Sequence, residues 1–97
     1  MGDLPGRTLA VGNHPNPFNP LTKISFSLDR DGYASLDVYD MQGRRVRRLV
    51  GDVLKAGEHS IVWDGQDDSG RKVGSGVYFA KLISGGATAD HKMVLLK

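Results

Sequence analysis

The chain has 97 residues, a mass of 10.5 kDa and 13 Lys and Arg against 11 Asp and Glu, for a net charge of +2. A length under ~100 residues makes one small domain, with room for two thin layers but not for a deep pocket as well. Near-balanced charge argues against a nucleic-acid binder, the absence of cysteine removes disulfides, thiolate metal sites and thiol nucleophiles, and no apolar run approaches the ~18–20 residues of a membrane helix.

Residues 1–8, with Gly2, Pro5 and Gly6 and no periodicity, read as linker and not as a signal peptide. The domain is expected to occupy residues 9–97, with a first short strand around residues 9–12. Residues 13–20 are rich in proline and asparagine. Pro15, Pro17 and Pro20 fix φ and bias their neighbours, which predicts an extended, non-helical lead-in with Phe18 plugging one end of the fold. A partner-recognition role for this segment is the other reading.

Residues 22–28 alternate, with Ile24, Phe26 and Leu28 on one face and Lys23, Ser25 and Ser27 on the other. Residues 33–39 repeat the pattern: Ala34, Leu36 and Val38 share a face, while Ser35 and Asp37 point away. Residues 59–63 and 77–83 are apolar enough for strands near the centre of a sheet. Residues 91–96 are apolar on both faces, which predicts a last strand packed against the core. Asp29-Arg30-Asp31-Gly32, Asp40-Met41-Gln42-Gly43, Lys55-Ala56-Gly57 and Ser84-Gly85-Gly86 supply turn chemistry. About seven strand centres (Leu9, Ile24, Leu36, Val46, Ile61, Phe79 and Val94) at short spacing predict an all-β sandwich of two antiparallel sheets.

Asp64, Asp67 and Asp68 invite a calcium site, because calcium wants six to eight oxygens. Their spacing does not fit a twelve-residue calcium loop, and the plainer reading is a pair of turns, the second a small projecting hairpin. Arg44, Arg45, Arg47 and Arg48 form a basic cluster that suits either a polyanion or a solvated edge strand. No aromatics interleave with it, which favours the edge strand and no nucleic acid. His14, His59 and His91 fall on separate elements without metal-ligand neighbours, and no Gly-x-Ser-x-Gly elbow occurs. No catalytic site, cofactor or metal is expected.

Residues 16–20 (Asn-Pro-Phe-Asn-Pro), 22–26, Val38-Tyr39-Asp40 through Val46, Ala56-Gly57-Glu58-His59, Trp63-Asp64-Gly65, Gly76-Val77-Tyr78-Phe79 and the ending Lys92–Lys97 follow one another in a familiar order. Together they resemble the type A C-terminal sorting domain of the type IX secretion system and its relative, the immunoglobulin-like domain of the flagellar hook-capping protein. The resemblance implies an immunoglobulin-like sandwich that addresses an upstream passenger, such as a secreted hydrolase, to an outer-membrane translocon by way of the periplasm. A sortase-like peptidase would then release the passenger for anchoring at the cell surface. The family's three motifs carry over onto Pro15, Asn16 and Pro17; onto Gly76 and Tyr78; and onto Lys92, Met93, Val94, Leu95 and Leu96. Lys97 would then be a natural C-terminus. An exposed apolar strip on the last strand would suit β-augmentation or a shuttle protein. The rival expectations are a structural module of the hook-capping kind and a carbohydrate-binding accessory module.

Overall fold

Alternation of apolar and polar residues builds seven strands and no helix in residues 9–97, which are the residues the computed structural model describes. They are β1 (Ala10–His14), β2 (Thr22–Leu28), β3 (Gly32–Tyr39), β4 (Arg45–Leu54), β5 (Gly57–Trp63), β6 (Gly76–Ser84) and β7 (Ala87–Leu95). One sheet has the order β1-β2-β5 and the other β4-β3-β6-β7, with every pairing antiparallel. The fold is the expected immunoglobulin-like sandwich. The linker reading of residues 1–8 lies outside the described residues.

The core forms where the inward positions of the two sheets meet. Ile24, Phe26 and Leu28 of β2 face Ala34, Leu36 and Val38 of β3, Ala80 and Leu82 of β6, and Met93 and Leu95 of β7. An aromatic group closes one end: Phe18 lies 5.6 Å from Trp63, and Trp63 meets Tyr78 edge-on at 5.5 Å. Phe18 plugs the end as expected. The Trp63 indole N–H donates to the Gln66 carbonyl at 2.9 Å, so its polar atom is satisfied despite complete burial.

Tight turns follow the predicted residues. Asp40 Oδ1 accepts the amides of Gln42 and Arg44, each at 2.9 Å, and Gly43 takes the positive φ of 82° that closes the loop between β3 and β4. Gly85 and Gly86 supply the two positive φ values, 60° and 80°, that a two-residue hairpin between β6 and β7 requires.

Four local expectations are corrected, and one, the outward side of β3, holds with an addition. Leu9 precedes β1 and packs on the core from outside any strand. Ser35 and Asp37 do lie on the outer face of β3, yet both are buried. Arg48 covers Asp37, donating from Nε and Nη2 at 2.9 and 3.1 Å, and leans over Gly51, where a Cβ would meet Tyr33 Oη at 3.1 Å and Arg48 Cδ at 3.3 Å. β5 is an edge strand, not a central one: Trp63 is buried, but Val62 on the opposite face is exposed. The lead-in is a run of bends instead of an extended segment, because it folds back onto β7 as described below. The hairpin around Asp67–Gly70 does not project freely. The Asp68 amide donates to the Val46 carbonyl, and Asp68 Oδ1 accepts the Arg48 amide, both at 2.9 Å. One residue thereby lines the outer edge of β4.

Replacing Leu36, fully buried between the sheets, by Ala is expected to lower unfolding free energy by about 2–5 kcal/mol in urea titrations. Val53→Ser, at a position 68% exposed, should change it by no more than about 0.5 kcal/mol.

Candidate functional site

The three segments singled out by motif meet at one place, the terminal half of β7. On one side β6 pairs with it in register, Gly76 opposite Leu95, Val77 opposite Val94 and Tyr78 opposite Met93. On the other side the bent lead-in lies against its outer edge. Asn16 acts there as a stand-in for a strand's backbone: its Nδ2 donates to the Lys92 carbonyl at 3.2 Å, and its Oδ1 accepts the Val94 amide at 3.0 Å. Two residues on, the Phe18 amide donates to the Val94 carbonyl and the Phe18 carbonyl accepts the Leu96 amide, both at 2.9 Å, a short parallel bridge.

Further bonds fix this clasp. Thr22 is buried, its hydroxyl donating to the Pro15 carbonyl at 2.9 Å and accepting Asn13 Nδ2 at 3.1 Å. Asn13 Nδ2 also reaches the Pro15 carbonyl, while Asn13 Oδ1 accepts His91 Nε2–H at 2.8 Å, joining β1 to β7. The Lys97 amide donates to Ser75 Oγ at 3.0 Å. Pro15 and Pro17 are exposed and flank Asn16. They withhold amide donors on either side of it, so its side chain supplies what the local backbone does not.

The last strand divides by parity. Met93 and Leu95 are fully buried, Val94 is half-buried, and Lys92 and Leu96 face solvent. Tyr78 points inward, its hydroxyl donating to the Gly74 carbonyl at 2.7 Å. Burial pushes its phenol above the usual value, and the negative charge of Asp40 adds to the effect. Of the ten motif residues, Lys92 and Leu96 thus offer exposed side chains on the β7 face, and Tyr78, Met93 and Leu95 hold the platform in place. Asn13, Thr22, Phe18 and Ser75 join the clasp without having been singled out for it. Thr22 did carry a signal, a polar residue at a core-facing position of the β2 alternation.

Neither alternative chemistry gains from the geometry. Asp64 Oδ1 accepts the Gln66 amide, Asp67 Oδ1 accepts from Ser69 and Arg71, and Asp68 is bound to β4 and to Arg45 Nε at 3.3 Å. These are turn bonds, and no three metal-binding side chains converge among the described residues. The arginines are likewise engaged, Arg44 with Asp40, Arg45 with Asp68, Arg47 with the Asp67 carbonyl and Arg48 with Asp37. β4 is the edge strand the cluster suggested. His59 stacks on Phe26 and donates to the Lys55 carbonyl.

Fold and clasp together define a small immunoglobulin-like sandwich whose last strand is held along both edges. The model of the FlgD Ig-like domain family matches residues 18–86, and the chain belongs to that family. The match stops short of β7, so most of the clasp lies outside it. The chain is similar to dimeric latent PorU from Porphyromonas gingivalis, with 21% identity, 99% of this chain and 10% of that one covered, and a TM-score of 0.73. It is similar to PorZ of the same organism, described as an essential bacterial surface component of the type IX secretion system, with 18% identity, 91% and 12% coverage, and a TM-score of 0.61. FlgD from P. aeruginosa gives 24% identity, 91% and 72% coverage, and a TM-score of 0.57. At these identities the likeness is one of fold, and the chain spans about a tenth of the length of PorU and PorZ. No curated protein sequence matches it.

Asn16→Ala removes two hydrogen bonds and should lower unfolding free energy by about 1–2 kcal/mol, measured by urea titration. A second expectation concerns acid. The Arg44 amide holds the Asp40 carboxyl below its usual 3.8, and the Ser69 hydroxyl and Arg71 amide hold that of Asp67 below the same value. Both pKa values are depressed by folding, so the stability they contribute is present above 3.8 and is lost as pH falls through the lower, folded values. The urea midpoint should fall over that acidic window, and fall less in an Asp40→Asn/Asp67→Asn double variant.

Proposed function

We propose that the chain is a non-enzymatic C-terminal sorting module. It presents a passenger joined to its N-terminal side to an outer-membrane translocon of the type IX kind, and a sortase-like peptidase then separates the two at the cell surface. The observation that carries this reading is the convergence of the three motif segments on the terminal half of β7. Pro15, Asn16 and Pro17 lie on one edge, Gly76 and Tyr78 on the other, and Lys92–Leu96 between them. Segments far apart in the chain that meet on one strand make a recognition surface that exists only in the folded domain, with Lys92 and Leu96 as its exposed side chains. The fold likeness to PorU and PorZ supports the same direction.

The mode of docking is narrower than an open strand edge. The edge of β7 from Lys92 to Leu96 is already bonded to Asn16 and Phe18, which excludes β-augmentation there. Recognition falls to exposed side chains, Lys92 and Leu96 first among them. A second reading, a structural module of the hook-capping kind, draws on the family match over residues 18–86, which leaves the clasp out. A carbohydrate-binding role lacks its usual row of exposed rings: Tyr33 is the only aromatic more than half exposed among the described residues.

The full chain, fused behind a periplasm-directed reporter in a bacterium with the secretion system, tests the reading. Lys92→Glu/Leu96→Ser should leave the melting temperature nearly unchanged and reduce surface export to the level of a reporter without the domain. Undiminished export of that folded variant would contradict the sorting role.

A further inference from the structure

The outer face of the four-stranded sheet carries an arrangement that the clasp alone does not explain. Strand parity puts Lys92, Val94 and Leu96 in one line along β7 on this face. Phe79 of β6 stands opposite Lys92 in register, and Tyr39 of β3 stands opposite Phe79. Phe79 and Val94 are half-buried and Leu96 is 52% exposed, so Lys92 borders apolar residues across the sheet and toward Leu96, while Asp90 precedes it on the same face.

The charges of this face are unevenly matched. Arg48 neutralises Asp37, and Arg45 is held by Asp68. Lys81 sits 5.8 Å over the Tyr39 ring with Asp90 opposite it on β7. Lys92 is exposed, and no ion pair engages it among the described residues. Lys81 and Lys92 against Asp90 leave one positive charge in excess, at the end of the apolar strip. Charge complementarity calls for a carboxylate next to an apolar side chain.

We propose that this end of the sheet face docks an acidic protein surface that inserts an apolar residue between Phe79 and Leu96. The partner's carboxylate meets Lys92, and its apolar side chain covers Val94. The inference rests on the sorting reading for its biological occupant and gives that occupant its chemistry.

The test is a nuclear magnetic resonance titration of the full chain with a synthetic peptide of alternating Glu and Leu, beside poly-glutamate and dextran sulfate as purely anionic probes. The peptide should shift the amides of Phe79, Lys92, Val94 and Leu96 saturably, and more weakly as salt rises. Lys81→Gln/Lys92→Gln should weaken it by about tenfold, the loss of roughly 1.4 kcal/mol, with the melting temperature held. Absence of shifts at these amides would overturn the proposal. So would equal binding of poly-glutamate, which would remove the apolar requirement, or of dextran sulfate, which would point to an anionic polymer. Self-association through these residues would overturn it in favour of a second copy. Export lost in Lys92→Glu/Leu96→Ser without peptide binding to the parent chain would leave the sorting role standing and remove only this partner. Peptide binding with undiminished export of that variant would do the reverse.

Discussion

Four hydrogen bonds along the outer edge of β7 hold the ends of this domain together. Asn16 contributes two through its side chain, and Phe18 two through its backbone. Each is worth about 0.5–1.5 kcal/mol net, modest singly. Their effect is multiplied by what lies beneath, since the same segment carries Phe18 against Trp63, and Trp63 against Tyr78. The lead-in, the sixth strand and the last strand are therefore one packed unit.

Part of each edge of the larger sheet is covered by the same device. At β7 a carboxamide takes the place of a neighbouring strand, and at β4 Asp68 does so with its amide and carboxylate. An unpaired strand edge is a template for pairing with another chain. The smaller sheet, ending in β1 and β5, has no such cover at β5 among the described residues. From Lys92 to Leu96 the last strand therefore presents its outer face, and not its edge, to solvent.

Period-two alternation made β2 and β3 legible in the sequence, because each hides one face against the other sheet. Turn residues did the same for the loops at Asp40–Gly43 and Gly85–Gly86, where the required φ values leave few choices. β5 misled because an apolar run shows how much a strand can bury and not how many neighbours it has. The contacts that make the site were not legible at all. Asn16 and Val94 are 78 positions apart, and no local pattern tells that an asparagine between two prolines will pair with a distant strand. The burial of Asp37 was hidden for the same reason, since its cover, Arg48, comes from the next strand and reads alone as one more cation of a basic cluster.

The central claim is that the lead-in and the last strand open and close as one unit with the core. Native-state hydrogen exchange at the amides of Val94 and Leu96 measures this directly, with the core amides of β3 as reference. Both amides should exchange only in the global unfolding reaction, with protection equal to that of β3, and Phe18→Ala should lower all of them together. Exchange of Val94 and Leu96 far faster than that of β3, through local fraying of the strand, would contradict it.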